Sequence, residues 1–281
     1  MNLFKIISEL EKVDPEIMDR LTHRRSALSA LGDLSKKMAL AAAPIAIGSA
    51  FNKAMGQNTL TSVNDVLNYA LLLERLEYSF YDQALKAPTL TVPLTGAARA
   101  AIETIRAHED AHVKLLTAAL GSSAAAAPTF DFGSAFSTYE IFLTFAQAFE
   151  DTGVRAYKGQ AATIKNAGNP NNLLQTALQI HSVEARHAAH IRYMRRGATA
   201  GNQTTIMPWV VNAEANGAPA AVYGAGNPVA LFPAENNIMQ GGLTLTSING
   251  TTYDAADVSA AFDEGLDSTT VTNIARSVVK F

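Results

Sequence analysis

Between residues 62 and 197, apolar side chains recur every three to four positions in four stretches, each bounded by capping or chain-breaking residues. That spacing lines one face of an α-helix. The first stretch runs from about Asn64 to Ala87, with Ser62 and Asn64 as candidate caps and Pro88 as its stop. The second runs from about Thr95 to Leu120 and stops at Gly121. The third opens near Ser137, where Ser137 and Glu140 have the spacing of a capping box, and runs to Asn166 before Gly168. The fourth takes Asn169 as cap and Pro170 as its first helical residue, and ends at Gly197. About seven residues join the first pair and about three the second, and links that short make antiparallel neighbours. Residues 121–136, rich in Gly, Ser and Ala, are long enough to cross a bundle from end to end. The expectation is an all-α four-helix bundle over residues 57–197, with a long crossover between helices two and three.

The flanks read differently. Residues 1–56 contain basic pairs at Arg24-Arg25 and Lys36-Lys37, then an apolar run from Met38 to Phe51, then small residues before Gln57. A charged part, a short apolar part and a small-residue exit are the parts of an export signal, and the arginine pair resembles a twin-arginine signal. The alternative is a retained N-terminal helical extension, since Leu3, Ile6, Ile7, Leu10 and Val13 share a helical face. Residues 198–281 read as a loop-rich C-terminal extension, with a hairpin signal at Leu243–Ile248 before Asn249-Gly250 and two short helices, 254–262 and 268–279. No chemistry is legible in this extension, and its expected role is to cover the bundle or a partner surface.

The chemistry lies on the inner faces of the four helices. Each apolar stripe is interrupted by glutamate: Glu74 and Glu77 on the first helix, Glu109 on the second, Glu150 on the third, Glu184 on the fourth. Carboxylates on a burying face are costly unless a cation meets them. The second and fourth helices each carry Glu-x-x-His, at Glu109/His112 and Glu184/His187, which puts both side chains on one face a turn apart. With 13 Glu and six His in the chain, chance supplies only about 0.3 such motifs. The halves repeat: Glu74 precedes Tyr81 by seven residues, as Glu150 precedes Tyr157. Four carboxylates and two imidazoles suit two divalent metal ions of the iron or manganese type. Glu77 is either an alternative first-helix ligand or a flanking group. His108, His181 and His190 each lie a turn from a motif residue and are candidates to hold the ligands from outside, or else partly exposed histidines. Phe142, Phe145 and Phe149 read as core, and Arg192, Arg195 and Arg196 as complements to the C-terminal dipole of the fourth helix. No catalytic residue is singled out.

On these motifs the chain resembles the ferritin-like superfamily of dimetal-carboxylate bundles. It is most similar to exported ferritin-like domain proteins related to desiccation-related proteins, with the Lys12–Pro15 stretch, the arginine pair and Ala261–Glu264 adding to the likeness. The resemblance implies that Glu109 and Glu184 bridge two metals and that Glu74 and Glu150 are terminal carboxylates. It implies one ion each for His112 and His187, with Tyr81 and Tyr157 as outer partners of the ligands. The resemblance gives a site more firmly than a reaction; two neighbouring ions can share the electrons that cleave an O–O bond, so the expected function is activation of dioxygen or peroxide, of oxidase, peroxide-scavenging or ferroxidase type. The alternative is a structural or stress-related surface protein whose metals only stabilise the bundle.

Charge and composition narrow the partners. Lys and Arg total 22 against 25 Asp and Glu, and residues 57–281 carry 14 basic and 19 acidic groups, so no basic surface for nucleic acid is indicated. There are no cysteines, which excludes disulfides and thiolate sites. No apolar run reaches the roughly 18 residues of a membrane span. An exported protein, periplasmic or at the cell surface, is expected, and homo-oligomer formation is compatible with the sequence. The mature protein is predicted to lie outside the cytoplasm and to begin near Gln57. N-terminal sequencing of protein recovered from the native host checks this, and a start at Met1 or Asn2 outside the cell rejects cleavage.

Overall fold

The computed structural model describes residues 60, 62–90, 94–197, 204–248 and 250–278. The signal-like segment 1–56 and the expected start at Gln57 lie outside the described residues. Four long helices are present: α1 (Val63–Ala84), α2 (Gly96–Leu120), α3 (Tyr139–Asn166) and α4 (Leu173–Gly197). Helix α1 starts with a complete capping box, in which Ser62 accepts from the Asp65 amide while the Asp65 carboxylate accepts from Ser62. It stops at Ala84, and a single 3-10 turn at Pro88–Leu90 follows.

Two expected caps are corrected. The cap of α3 is Thr138, whose hydroxyl accepts from the Ile141 amide at 3.2 Å, and not Ser137. Pro170 starts a 3-10 turn with Asn169 in the left-handed region, so α4 begins only at Leu173, with Asn169 Oδ1 accepting from Leu174 N. Asparagine tolerates that conformation better than most residues, which lets the chain reverse sharply between α3 and α4.

Helices α1 and α2 pack as one hairpin and α3 and α4 as the other. The segment between α2 and α3 travels alongside α1. Asn68 bonds Ser123 and Ala125, Arg75 donates to Ala125 O at 2.7 Å, Gln83 reaches Phe130 O, and Thr89 reaches Phe136 O. The chain therefore goes up α1, down α2, up along α1 again, down α3 and up α4. The crossover brings Phe132 and Phe136 onto Phe80, with Phe130 stacked on Phe132, and the Phe80 ring stacks on Phe142 at 5.3 Å and meets Phe149 edge-on at 4.9 Å. These phenylalanines, with Leu76, Ile102, Ile105 and Ile191, form one apolar cluster. A second, built from Leu67, Leu71, Leu116, Ile164 and Ile180, fills the other end.

The extension wraps the outer face of α3 and α4. Its elements are a 3-10 turn at Ala220–Val222, the two-residue strands β1 (Met239–Gln240), β2 (Leu243–Thr244), β3 (Ser247–Ile248) and β4 (Thr251–Thr252), then α5 (Ala255–Ala260) and α6 (Ser268–Val278). The strands pair as two antiparallel hairpins, β1 with β2 and β3 with β4. Because both sides of α3 are covered, every residue from Ala146 to Tyr157 is buried.

The fastening of the extension is polar. Arg155, 2% exposed, bonds Glu235 Oε1 at 2.8 Å and the carbonyls of Val222, Gly224, Pro233, Glu264 and Gly265. Asp151 pairs with Arg192 at 2.5 Å and accepts from Tyr223 Oη at 2.6 Å, and Arg195 donates to Gln147 and to Asn216 O. Arg192 and Arg195 are thus buried ties, which corrects their reading as dipole complements; the exposed Arg196 remains at the helix end. No helix among the described residues is long and apolar enough to cross a membrane.

At Gly159 the backbone of α3 touches the extension so closely that a Cβ would overlap the carbonyl of Leu266. Alanine there gains about 1 kcal/mol of helix propensity but creates a backbone clash costing about 1–3 kcal/mol. Gly159→Ala is expected to lower Tm by a few degrees. Gly197→Ala, where a Cβ meets nothing within 4 Å, should leave Tm unchanged or slightly higher. Thermal melts of both variants check the pair.

Candidate metal centre

The two apolar clusters are separated by a polar layer to which all four helices contribute. Along α1 the order is Leu71, Glu74, Glu77, Phe80; along α3 it is Phe149, Glu150, Tyr157, Ile164. Glu74, Glu109, Glu150 and Glu184 have no solvent exposure, and His187 has 4%. His112 is half-buried, with 12% of its side chain exposed. The six residues of the sequence motif therefore converge at mid-bundle.

Their geometry has a near two-fold symmetry. His112 Nδ1 lies 2.9 Å from Glu74 Oε2, 3.1 Å from Glu109 Oε2 and 3.3 Å from Glu184 Oε1. His187 Nδ1 lies 2.9 Å from Glu109 Oε1, 3.2 Å from Glu184 Oε2 and 3.3 Å from Glu150 Oε2. Two sets of four result: Glu74, Glu109, His112, Glu184 and Glu109, Glu150, Glu184, His187. Within each, the candidate ligand atoms all lie within 4.8 Å of one another. Glu109 and Glu184 belong to both sets, one oxygen turned to each imidazole.

A hydrogen-bond network does not account for this arrangement. One Nδ1–H cannot serve three carboxylate oxygens at once, and Glu109 Oε1, Glu150 Oε2 and Glu184 Oε1 are buried without a hydrogen-bond partner. Glu109 Oε1 is nevertheless 2.9 Å from His187 Nδ1. The close approach satisfies the distance but not the angle of a hydrogen bond. Nitrogen and oxygen atoms drawn this close together with too few protons between them are the donor set of a cation, so these residues fit a metal ion.

Proton affinities show the same imbalance. Burial pushes Glu109 up, reinforced by the charge of Glu184, and pushes Glu150 up to about 7. Burial also opposes ionisation of Glu184, yet the close approach of the His112 and His187 imidazoles holds it down to about 2. Burial works against charge on both imidazoles too, but the surrounding carboxylates outweigh it, raising His187 to about 12 and His112 strongly in the same direction. Left to protons alone, the cluster turns its histidines into the missing cations.

Two tyrosines exchange partners across the layer. Tyr81 of α1 donates to Glu150 Oε1 of α3 at 2.5 Å, and Tyr157 of α3 donates to Glu74 Oε1 of α1. Burial, then the neighbouring carboxylate charge, raises both phenols well above their ordinary range, so each stays a proton donor. Glu77 is buried beside the cluster but belongs to neither set of four. Burial and the charge of Glu184 push its carboxyl well up, and it sits against Gly153, where a Cβ would come 3.2 Å from Glu77 Oε1 and 3.5 Å from Glu184 Cγ.

The outer histidines divide. His108, exposed on α2, places Nδ1 2.9 Å from His187 Nε2 with the rings stacked at 5.2 Å, so it holds the second ring nitrogen of a candidate ligand. His181 instead donates to Val154 O at 2.9 Å, and His190 is exposed beside Tyr193. Neither makes a hydrogen bond to the six. A turn of separation along α4 does not reach the site, because the helix rotates residues 181 and 190 off the inner face. Sequence spacing alone could not distinguish His108, whose partner lies on another helix.

Metal uptake requires neutral imidazoles and ionised carboxylates. Since the histidines are raised and Glu109 and Glu150 are also raised, loading at neutral pH must expel protons. Metal affinity is expected to rise with pH by about tenfold per unit for each proton released, and to fall correspondingly in acid. Competition against a chelator at pH 6, 7 and 8, with proton release followed in weak buffer, measures it.

A family model described as a ferritin-like domain matches residues 62–196. Among curated proteins nothing matches the chain significantly. Nor does any solved structure match it significantly. The matched segment begins at the cap of α1, ends one residue before the end of α4, and contains every residue of the two carboxylate–histidine sets. With its paired hairpins, its crossover along α1 and this buried cluster, residues 62–196 of the chain are a ferritin-like domain of the ferritin-like superfamily.

Proposed function

We propose that the domain binds two divalent ions, of iron or manganese, and uses them on dioxygen or peroxide. The observation that carries this reading is the pair of overlapping ligand sets sharing Glu109 and Glu184. Glu74 with His112 would complete one site, and Glu150 with His187 the other. Such ions supply one-electron and oxygen chemistry that no side chain here can. The chain's own residues do the rest. Tyr81 and Tyr157 orient the terminal carboxylates and hold phenolic protons next to them. His108 fixes the ring of His187 and connects its Nε2 to the surface. The apolar clusters above and below keep bulk water from the layer.

The closed state of the site favours a small substrate. All four ligand carboxylates are without solvent exposure, and the nearest exposed edges belong to His112 and His108. A diatomic or triatomic oxidant, or hydrogen peroxide, passes such an edge; a large organic molecule does not. Export to the periplasm or cell surface is part of the proposal and rests on the 1–56 segment alone, as assembly into homo-oligomers rests on compatibility alone.

Elemental analysis of purified protein is expected to give about two ions per chain, and Glu109→Ala/Glu184→Ala to bring this near zero while the bundle persists. Oxygen and peroxide consumption should vanish with the metals. Tyr157→Phe, which leaves the six ligands in place, should cost about 10–100-fold in metal affinity or turnover. Two ions per chain with no turnover of either oxidant would assign the metals to stabilising the bundle, and a full metal complement in the double variant would overturn the ligand assignment.

A further inference from the structure

The two apolar clusters that flank the polar layer are not packed alike. At the phenylalanine end, Phe80, Phe142, Ile102 and Ile191 have no exposed surface, and the rings of Phe80 and Phe142 lie edge-on to Tyr81. At the other end each helix contributes an alanine to the interior: Ala70, Ala119, Ala156 and Ala177. They leave a cavity of about 30 Å3 between all four helices. Its inner end adjoins the metal layer. Leu116 follows His112 by one turn, Ile180 precedes Glu184 by one turn, and Leu73 is next to Glu74 in the chain. Tyr157 belongs to the wall as well, while its hydroxyl donates to Glu74. The crossed tyrosines are equivalent in the near two-fold arrangement, yet Tyr81 is 0% exposed and Tyr157 8%. The Glu74 and His112 half of the centre thus has a hollow behind its tyrosine, where the Glu150 and His187 half has packed rings.

Size and lining select the occupant. The volume is roughly twice the least that holds a water and far below the ~150 Å3 that admits benzene, so it suits a molecule of very few atoms. Tyr69, Gln160 and Thr176 are the polar members of the wall besides Tyr157, yet nearly all the surface turned to the cavity is carbon. A buried water is held by two or more polar partners, which a carbon wall does not supply. Hydrogen peroxide would have to surrender the hydrogen bonds of both its hydroxyls on entering, which is costly. Dioxygen has no such bonds to lose and dissolves better in hydrocarbon than in water. Of the two oxidants considered for the centre, the cavity favours dioxygen.

We propose that the cavity between Ala70, Ala119, Ala156 and Ala177 binds dioxygen and holds it one phenol ring away from Glu74. The binding needs only the cavity; its role in supplying the centre rests on the reading of the centre given above. The two halves of the centre are then unequal. Dioxygen arrives on the side of Glu74 and His112, and the side of Glu150 and His187 is closed by the rings around Tyr81.

Dioxygen is paramagnetic, so it speeds the nuclear relaxation of the methyl groups it sits beside. The full chain is methyl-labelled and kept in zinc, which removes both turnover and metal paramagnetism, and is compared under oxygen and nitrogen pressure. The methyls of Leu73, Leu116 and Ile180 are expected to respond several-fold more than those of Ile102, Leu143 and Ile191 at the phenylalanine end. Ala177→Leu, at a half-buried position, and Ala70→Leu each place a larger side chain in the cavity and should abolish the excess, with circular dichroism confirming the fold. Equal response at the two ends in the unaltered chain, or an excess that survives in both folded variants, would overturn the gas site. With iron or manganese restored, the variants should need about tenfold more dioxygen for half-maximal rate at unchanged kcat, and consume peroxide as before. An unchanged dioxygen requirement would overturn the supplying role. No consumption of dioxygen by the unaltered chain would overturn the reading of the centre, and that role with it, while the gas site stands on the methyl response.

Discussion

Four carboxylates and two imidazoles occupy a layer across the middle of the bundle where apolar side chains would otherwise meet, and a fifth carboxylate, Glu77, sits beside them. Sealing that much negative charge away from water is tolerable only if positive charge is sealed in with it. The surrounding structure is arranged around this condition. The layer splits the core into two apolar clusters, so each helix must be long enough to bury a stripe on both sides of its polar residues. It requires glycine at 153, where any larger residue would crowd Glu77 and Glu184. It also requires the crossed tyrosines, which satisfy the outer oxygens of Glu74 and Glu150 and leave the inner ones facing the cluster.

The second organising feature is the isolation of α3. A helix in a four-helix bundle ordinarily keeps one side in water; α3 is covered on both, by the other helices within and by the extension without. Its outer face carries Gln147, Asp151 and Arg155 at four-residue spacing, and each is buried and bonded to the extension or to α4. Arg155 spends its guanidinium largely on backbone carbonyls. Irregular chain has many carbonyls that no ladder satisfies, and a forked donor can gather several of them. A loop-rich segment with only two short helices and two two-residue hairpins of its own is thereby held.

Much of the bundle was legible because its signals are local. Caps, stops and three-to-four periodicity act within a few residues, and the length of residues 121–136 left few paths for the chain. The polar layer was legible for a different reason: glutamate on a burying stripe contradicts the stripe, and the contradiction repeats in both halves. What was not legible depends on contacts between distant residues. Arg192 reads as a favourable charge near a helix end until Asp151 and Tyr223 are brought beside it. His108 and His190 are indistinguishable by spacing, and only the packing of α2 against α4 decides which reaches a ligand. The cavity beside Tyr157 combines positions from all four helices, and nothing in the local pattern of any one segment announces it.

Each of the two ligand sets draws on three helices and on both hairpins: α1, α2 and α4 for one, α2, α3 and α4 for the other. Neither hairpin alone contains a complete set. The hairpins can form from contacts close in sequence, but the ion site exists only once they have docked. A metal ion held by these residues would therefore have nothing comparable to hold during the early stages of folding, and would act on the last one. Filled in that way, the centre would work as a latch that engages a finished bundle, and the identity of the ion would be decided wherever that docking is completed.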